Sequence, residues 1–331
     1  RPLPLIAQGR LQASNFALEW YTSPAVNQTD RAIMSAASTN VSEYEIVPSG
    51  GLLGAEVIGF DTGLEPEAET MAALRVSFAA HGVLCFRDQN LTEEQLIAFT
   101  RRFGETETYV LSDYSLDDHP EILIVSNIVE DGVPIGLRDA GTTWHTDMSY
   151  IPAPPAATIL HAREVPVGDD GQILGDTLFA STAAAYDALP QELKDRLEGC
   201  RTIHSYEAKH ARRAQEGKSN RKPITEAQRN ALPPVRHPVI RRHPVTGVRC
   251  IFVVAGECVG IDGIPEDEAT DILEMLAQHT VKPEFHHRHK WRRGDVLIWD
   301  NCLVQHLAIH DYALPQRRLM LRTTVKGTVP H

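Results

Sequence analysis

Hydrophobic positions acquire a period only after the first forty or so residues. Positions 1–43 are rich in Ser, Thr, Asn and Ala without a repeat, so they are expected to be an N-terminal extension, non-native or poorly ordered, with Met34 as a candidate start. From Gly54 the pattern is regular. Short apolar or β-branched runs at 55–60, 83–86, 122–127, 157–160, 177–180, 248–254, 295–299 and 319–325 predict strands. Apolar residues at helical spacing predict helices over 67–80, 181–197 and 266–278, and Thr92 with Gln95 three positions on is a capping box opening a helix that runs to Phe103-Gly104. Between His210 and Pro238 apolar anchors are scarce and basic residues frequent. That stretch reads as a solvated loop, with a mobile lid as the alternative.

Strands spread over the second half with helices at the flanks argue for a mainly β protein with flanking helices, a sandwich or jelly roll, rather than a doubly wound parallel sheet. At 331 residues the chain admits one large domain or two. A net charge of −12 has the wrong sign for a protein that neutralises phosphates, so neither a nucleic-acid nor an anionic-membrane partner is expected. The balance reverses locally, since 286–326 holds eight Lys and Arg against three Asp and Glu. Five cysteines, none spaced C-x-x-C, suggest no disulfide framework and make the cytoplasm the expected compartment. No apolar run reaches the length of a membrane span. Self-association into a homo-oligomer is left open.

The count of 15 His prompts a search for metal spacing. Trp144-His145-Thr146-Asp147 places an H-x-D after a Gly/Asp-rich loop. In an extended segment residues i and i+2 share a face, so imidazole and carboxylate can converge on one ion. A third ligand from a distant His would complete a two-His-one-carboxylate set with open positions for oxygen chemistry. His306 leads, with His310 as its competitor. The cluster His286-His287-x-His289, beside Lys290, Arg292 and Arg293, reads as a solvated turn.

These segments, with Leu174-Gly175-Asp176-Thr177, Trp299-Asp300-Asn301 and Pro315-Gln316-Arg317-Arg318-Leu319-Met320-Leu321-Arg322, occur in an order that resembles the TauD/TfdA group of Fe(II)- and 2-oxoglutarate-dependent dioxygenases, from about Gly54 to Val325. The resemblance implies a double-stranded β-helix (jelly-roll, cupin-like) core in a single domain over 44–331, with 205–238 a lid or surface insertion. It implies His145, Asp147 and His306 as iron ligands and as the catalytic residues. Thr177 and Arg318 are implied as holders of the free carboxylate of 2-oxoglutarate, with O2 as the other cosubstrate. A guanidinium plus a hydroxyl is a strong directional receiver for a carboxylate. The resemblance also assigns Arg322 to the anionic head of the substrate, in keeping with strand alternation that puts Arg318, Met320 and Arg322 on one face.

The expected substrate is therefore a small anionic organic molecule: a sulfonate, sulfate ester, aryloxyalkanoate or related carboxylate. Taurine itself fits poorly. Where taurine-binding members carry a His and a Tyr after Arg-Phe-Gly, this chain has Tyr109 and Ser112, and Gly141 stands at the place of an Asn. Tyr109 remains a candidate for the pocket. Segment 169–174 lengthens the turn before Gly175-Asp176-Thr177 and reads as a surface insertion. Two other classes use the same residues: a Zn-dependent hydrolase with the same three ligands, and a non-catalytic anion-binding jelly roll.

Overall fold

The computed structural model describes residues 44–108, 114–215 and 224–331. A seven-stranded sheet runs in the order Glu45–Pro48, Ala55–Ile58, Val83–Phe86, Val296–Asp300, Ala157–Glu164, Leu319–Val325, Leu123–Ser126. All its pairings are antiparallel except that of Ala55–Ile58 with Val83–Phe86. A second, three-stranded sheet sets Thr177–Ser181 between His286–His289 and Val304–Ala308.

The central strands of the large sheet are covered on both faces, which is why they read as continuous apolar runs rather than alternations. One face packs Phe86, Ile159, Val296 and Ile298 against Leu74 and Phe78 of helix Ala68–His81 and Leu96 and Phe99 of helix Glu93–Arg101. The other joins Cys85, Leu160, Leu297 and Met320 to Phe179 and Val304 of the small sheet. Two sheets face to face with helices outside give the mainly β architecture with flanking helices that the sequence predicts. A further apolar cluster joins helix Glu266–Thr280 to Ala185 and Tyr186 of helix Thr182–Asp187.

The helix at Glu93 carries its capping box, with Thr92 Oγ1 accepting from Gln95 N–H and the Gln95 side chain from Thr92 N–H. The helix expected over 181–197 is two, Thr182–Asp187 and Gln191–Leu197, because Pro190 has no N–H to continue the first. The stretch expected to be a loop from 210 holds helices Tyr206–Gln215 and Glu226–Ala231 and strand Val235–Pro238, which pairs with Arg201–His204. The helices were hidden because the first buries Arg213 alone and the second nothing, so no apolar stripe marks them. Likewise His286–His289 is a sheet strand and not a turn, with His289 4% exposed.

Among the described residues no helix is long and apolar enough to cross a membrane. Met34 lies outside the described residues.

Candidate active site

The two histidines meet through the backbone. His145 and His306 form a β-bridge, His145 N–H to His306 O at 3.2 Å and His306 N–H to His145 O at 2.8 Å, so two residues 161 positions apart stand opposite each other. Their ring centroids lie 4.2 Å apart, and the His306 ring packs on Trp299 at 4.8 Å and Phe179 at 6.1 Å. His145 Nδ1–H donates to Thr143 O at 2.8 Å, which fixes the tautomer that leaves Nε2 with its lone pair. Nε2 of His145 and of His306 lie 3.7 and 3.9 Å from Asp147 Oδ1. The segment is not a strand beyond this bridge. After His145 the chain turns, and Met148 takes φ +45°, so Asp147 reaches the histidines from a turn and not by strand alternation.

Asp147 is 3% exposed and held by both oxygens. Oδ2 accepts from Thr158 Oγ1 at 2.7 Å, and Thr158 Oγ1 accepts from Asn301 Nδ2 at 3.0 Å. Asn301 Oδ1 in turn accepts from Trp299 Nε1 at 3.1 Å, and its carbonyl accepts from Thr146 Oγ1 at 2.8 Å. Oδ1 faces Arg322 Nη2 at 2.9 Å. Burial acts to raise the Asp147 pKa, but Arg322 and the two imidazoles outweigh it and keep the carboxyl well below its ordinary range. Burial, then His145, pushes His306 well down, so it is neutral at pH 7. An ionised carboxylate and neutral imidazole nitrogen within 4.8 Å of one another are the donor states a divalent cation requires, and the three residues fit one.

Thr177 and Arg318 line the same cleft as His145, His306 and Arg322. Arg318 is 4% exposed: its N–H donates to Asn127 Oδ1 at 2.8 Å and its Nη1 to Gly175 O at 2.8 Å. Its guanidinium carbon lies 5.8 Å from the Trp291 ring and 5.6 Å from that of Tyr312, while its buried Nε has no hydrogen-bond partner. Thr177 Oγ1 accepts from Trp291 Nε1 at 3.0 Å, which leaves the hydroxyl proton to donate elsewhere. A buried guanidinium with spare donors beside a hydroxyl suits a carboxylate. Arg317, one residue earlier, points out to Glu164 at 2.9 Å.

A family model described as "Taurine catabolism dioxygenase TauD, TfdA family" matches residues 45–324. The chain belongs to this family. It is 36% identical over 253 residues to the α-ketoglutarate-dependent 2,4-dichlorophenoxyacetate dioxygenase of Cupriavidus pinatubonensis, covering 73% of this chain and 83% of that one. It is 30% identical over 308 residues to the α-ketoglutarate-dependent sulfate ester dioxygenase of Pseudomonas putida, covering 89% and 93%. A solved taurine dioxygenase from Burkholderia xenovorans superposes with a TM-score of 0.70 at 30% identity, covering 87% of this chain and 90% of that one. The solved structure of AAD-2 in complex with Mn(II) and N-oxalylglycine does so with a TM-score of 0.70 at 28% identity, covering 87% and 99%.

Within this family member, six of the seven residues singled out from the sequence line one cleft or meet at it. The seventh, Tyr109, and its neighbour Ser112 lie outside the described residues. His310 lines the cleft but is not in the donor cluster: its Nδ1 bonds Ala308 O at 3.1 Å and its ring stacks on Tyr312. Gly141 also lines the cleft, with φ +74° and Ala308 Cβ 3.1 Å from where a side chain would begin. Segment 169–174 folds as a short turn closed by Gly168 N–H to Gln172 O and the Val167–Ile173 bridge. Thr158 and Asn301, which hold Asp147, carry no signal of that role in the sequence. It arises from strand register, in which Thr158 pairs with Trp299.

Proposed function

We propose that this chain is an Fe(II)- and 2-oxoglutarate-dependent dioxygenase that hydroxylates a small anionic organic substrate, with succinate and CO2 as co-products. The carrying observation is the convergence of His145, Asp147 and His306 with Thr177 and Arg318 in one cleft. In this reading the core is a double-stranded β-helix (jelly roll), 44–331 form one domain, and the enzyme is cytoplasmic. The relatives' names supply the substrate classes: a sulfate ester, an aryloxyacetate and, in a Saccharomyces cerevisiae relative, a sulfonate.

In this reading each residue of the site has a defined task. His145, Asp147 and His306 would hold the iron through two imidazole nitrogens and one carboxylate oxygen. Bound there, iron supplies dioxygen activation coupled to decarboxylation of 2-oxoglutarate, and the oxidising power that removes a substrate hydrogen. Arg318 and the Thr177 hydroxyl receive the distal carboxylate and so orient the 2-oxo acid end toward the metal. Arg322, beside Asp147 Oδ1, receives the anionic head of the substrate and thereby sets which C–H bond lies nearest the reacting centre. Tyr109 is assigned to the substrate side of this pocket.

The test is succinate release from 2-oxoglutarate by anaerobically prepared protein with Fe(II), once oxygen is admitted, across a panel of sulfonates, sulfate esters, aryloxyalkanoates and simple carboxylates. Substrate-dependent succinate is expected with at least one anionic class. Turnover that needs no oxygen, or that proceeds with Zn(II), would contradict the proposal.

A further inference from the structure

The turn that presents Asp147 is strained and must be held from outside. Met148 sits at φ +45°, a conformation that a non-glycine residue keeps only where its surroundings over-determine it. Glu257 and His237 meet the turn directly, through Ser149 Oγ and Ile151 O, and helix Tyr206–Gln215 in the 205–238 stretch braces it from outside through Lys209 and Arg213. We propose that this helix is a strap that holds both ends of the ligand-bearing segment, with Lys209, Glu257 and Arg213 as positioning residues for His145 and Asp147. This rests on the reading of His145, Asp147 and His306 as the metal site.

Lys209 and Arg213 are four positions apart and share a helix face. Lys209 Nζ lies 2.6 Å from Glu257 Oε1, and Glu257 Oε2 accepts from Ser149 Oγ at 2.6 Å, two residues past Asp147. Ser149 is fully buried and Glu257 is 2% exposed. The next residue, Tyr150, packs tilted against Tyr206 with ring centroids 4.8 Å apart and lies under the Lys209 ammonium at 5.1 Å. On the other side, Arg213 Nη2 lies 3.2 Å from Asp139 Oδ2 and donates to Thr142 Oγ1 at 3.2 Å, next to the Thr143 carbonyl that fixes the His145 ring. The helix start is tied to the same glutamate, because Ser205 N–H donates to Glu257 O at 2.8 Å while Ser205 Oγ caps Ala208 N–H.

The experiment is a calorimetric titration of Mn(II) into the full chain and into its Ser149→Ala, Lys209→Met and Lys209→Arg variants. Charge alone predicts that removing Lys209 tightens a divalent cation. The strap predicts the opposite sign, a Kd raised about tenfold in Lys209→Met, the lower end of what loss of a residue supporting a ligand costs. Ser149→Ala leaves every charge in place and is expected to weaken Mn(II) several-fold. Lys209→Arg restores binding, and the KM for 2-oxoglutarate stays within twofold throughout. A merely structural role would lower the thermal midpoint and leave the Mn(II) Kd unchanged, and that result overturns the strap. If Lys209→Met does not fold, Ser149→Ala, which deletes one oxygen, decides alone. A parent chain that takes up no Mn(II) overturns the metal reading itself, and the strap with it.

Discussion

Among the described residues two clusters offer three metal-competent donors each, and one of the two is built to use them. His145, Asp147 and His306 lie at the cleft, whereas Cys85, His289 and Asp295 are buried elsewhere in the fold. Each carboxylate faces an arginine, Asp147 with Arg322 at 2.9 Å and Asp295 with Arg87 at 2.5 Å. The difference is in the states of the donors and in access. Asp295 Oδ2 also accepts Arg292 N–H at 2.7 Å, and its side chain is wholly inaccessible. Burial, then Asp295, drives the Cys85 thiol far up, so without an ion it stays protonated, and a metal would have to displace that proton in a site closed to solvent. At the cleft the carboxylate is held ionised, His306 is neutral, and Thr158 and Asn301 aim Asp147. Donor type and proximity do not suffice. Deprotonated donors, an approach path and a supporting shell make the site, and the buried cluster is an ion-paired tie between strands.

The sharpest way to break this comparison is to delete each carboxylate. Asp147→Ala is expected to abolish oxygen-dependent succinate formation, by about a thousandfold or more, because several kcal/mol of metal-supplied stabilisation go with the ion. Asp295→Ala should instead cost about 1.5–3 kcal/mol of folding free energy by denaturant unfolding, since it removes the buried partner of Arg87 and leaves it Glu56 and the Lys290 carbonyl, and should leave metal uptake intact. Next in size, Arg318→Ala should raise the KM for 2-oxoglutarate roughly 10- to 100-fold, the worth of charge-assisted hydrogen bonds, with little change for the prime substrate. Arg322→Ala should do the reverse in the same steady-state assay.

Smaller still, Thr158→Val should weaken Mn(II) about tenfold with the fold unchanged. The least effect is in pH. Burial, then Arg163, pushes His161 down to about 4. The unfolded side chain protonates near pH 6.5 while the folded one stays neutral, so this contribution to stability is present above about pH 6.5 and is lost as pH falls toward 4. The thermal midpoint should therefore drop on acidification, and less steeply in His161→Gln.

Much of the site was legible because its residues sit in spaced motifs. His145 and Asp147 announced themselves as H-x-D, and the resemblance supplied the roles implied for His306, Thr177, Arg318 and Arg322, with alternation placing the two arginines on one face. What was not legible depends on partners remote in sequence. Thr158 is a lone hydroxyl in an apolar strand until the register sets it across from Trp299, within reach of Asn301 and Asp147. His286–His289 looked solvent-facing because its residues are polar, yet it pairs with Thr177–Ser181 and buries His289. Helix Tyr206–Gln215 escaped notice because it docks through Lys209 and Arg213, cations that ordinarily mark a solvated face. The strands were legible wherever both faces are covered, as at Val83–Phe86 and Val296–Asp300.

The most direct measurement is the count of Mn(II) bound per chain, by native mass spectrometry, in the parent, Asp147→Ala and Asp295→Ala proteins. One ion in the parent and in Asp295→Ala, and none in Asp147→Ala, is the predicted result. An ion retained without Asp147, or lost without Asp295, would contradict it.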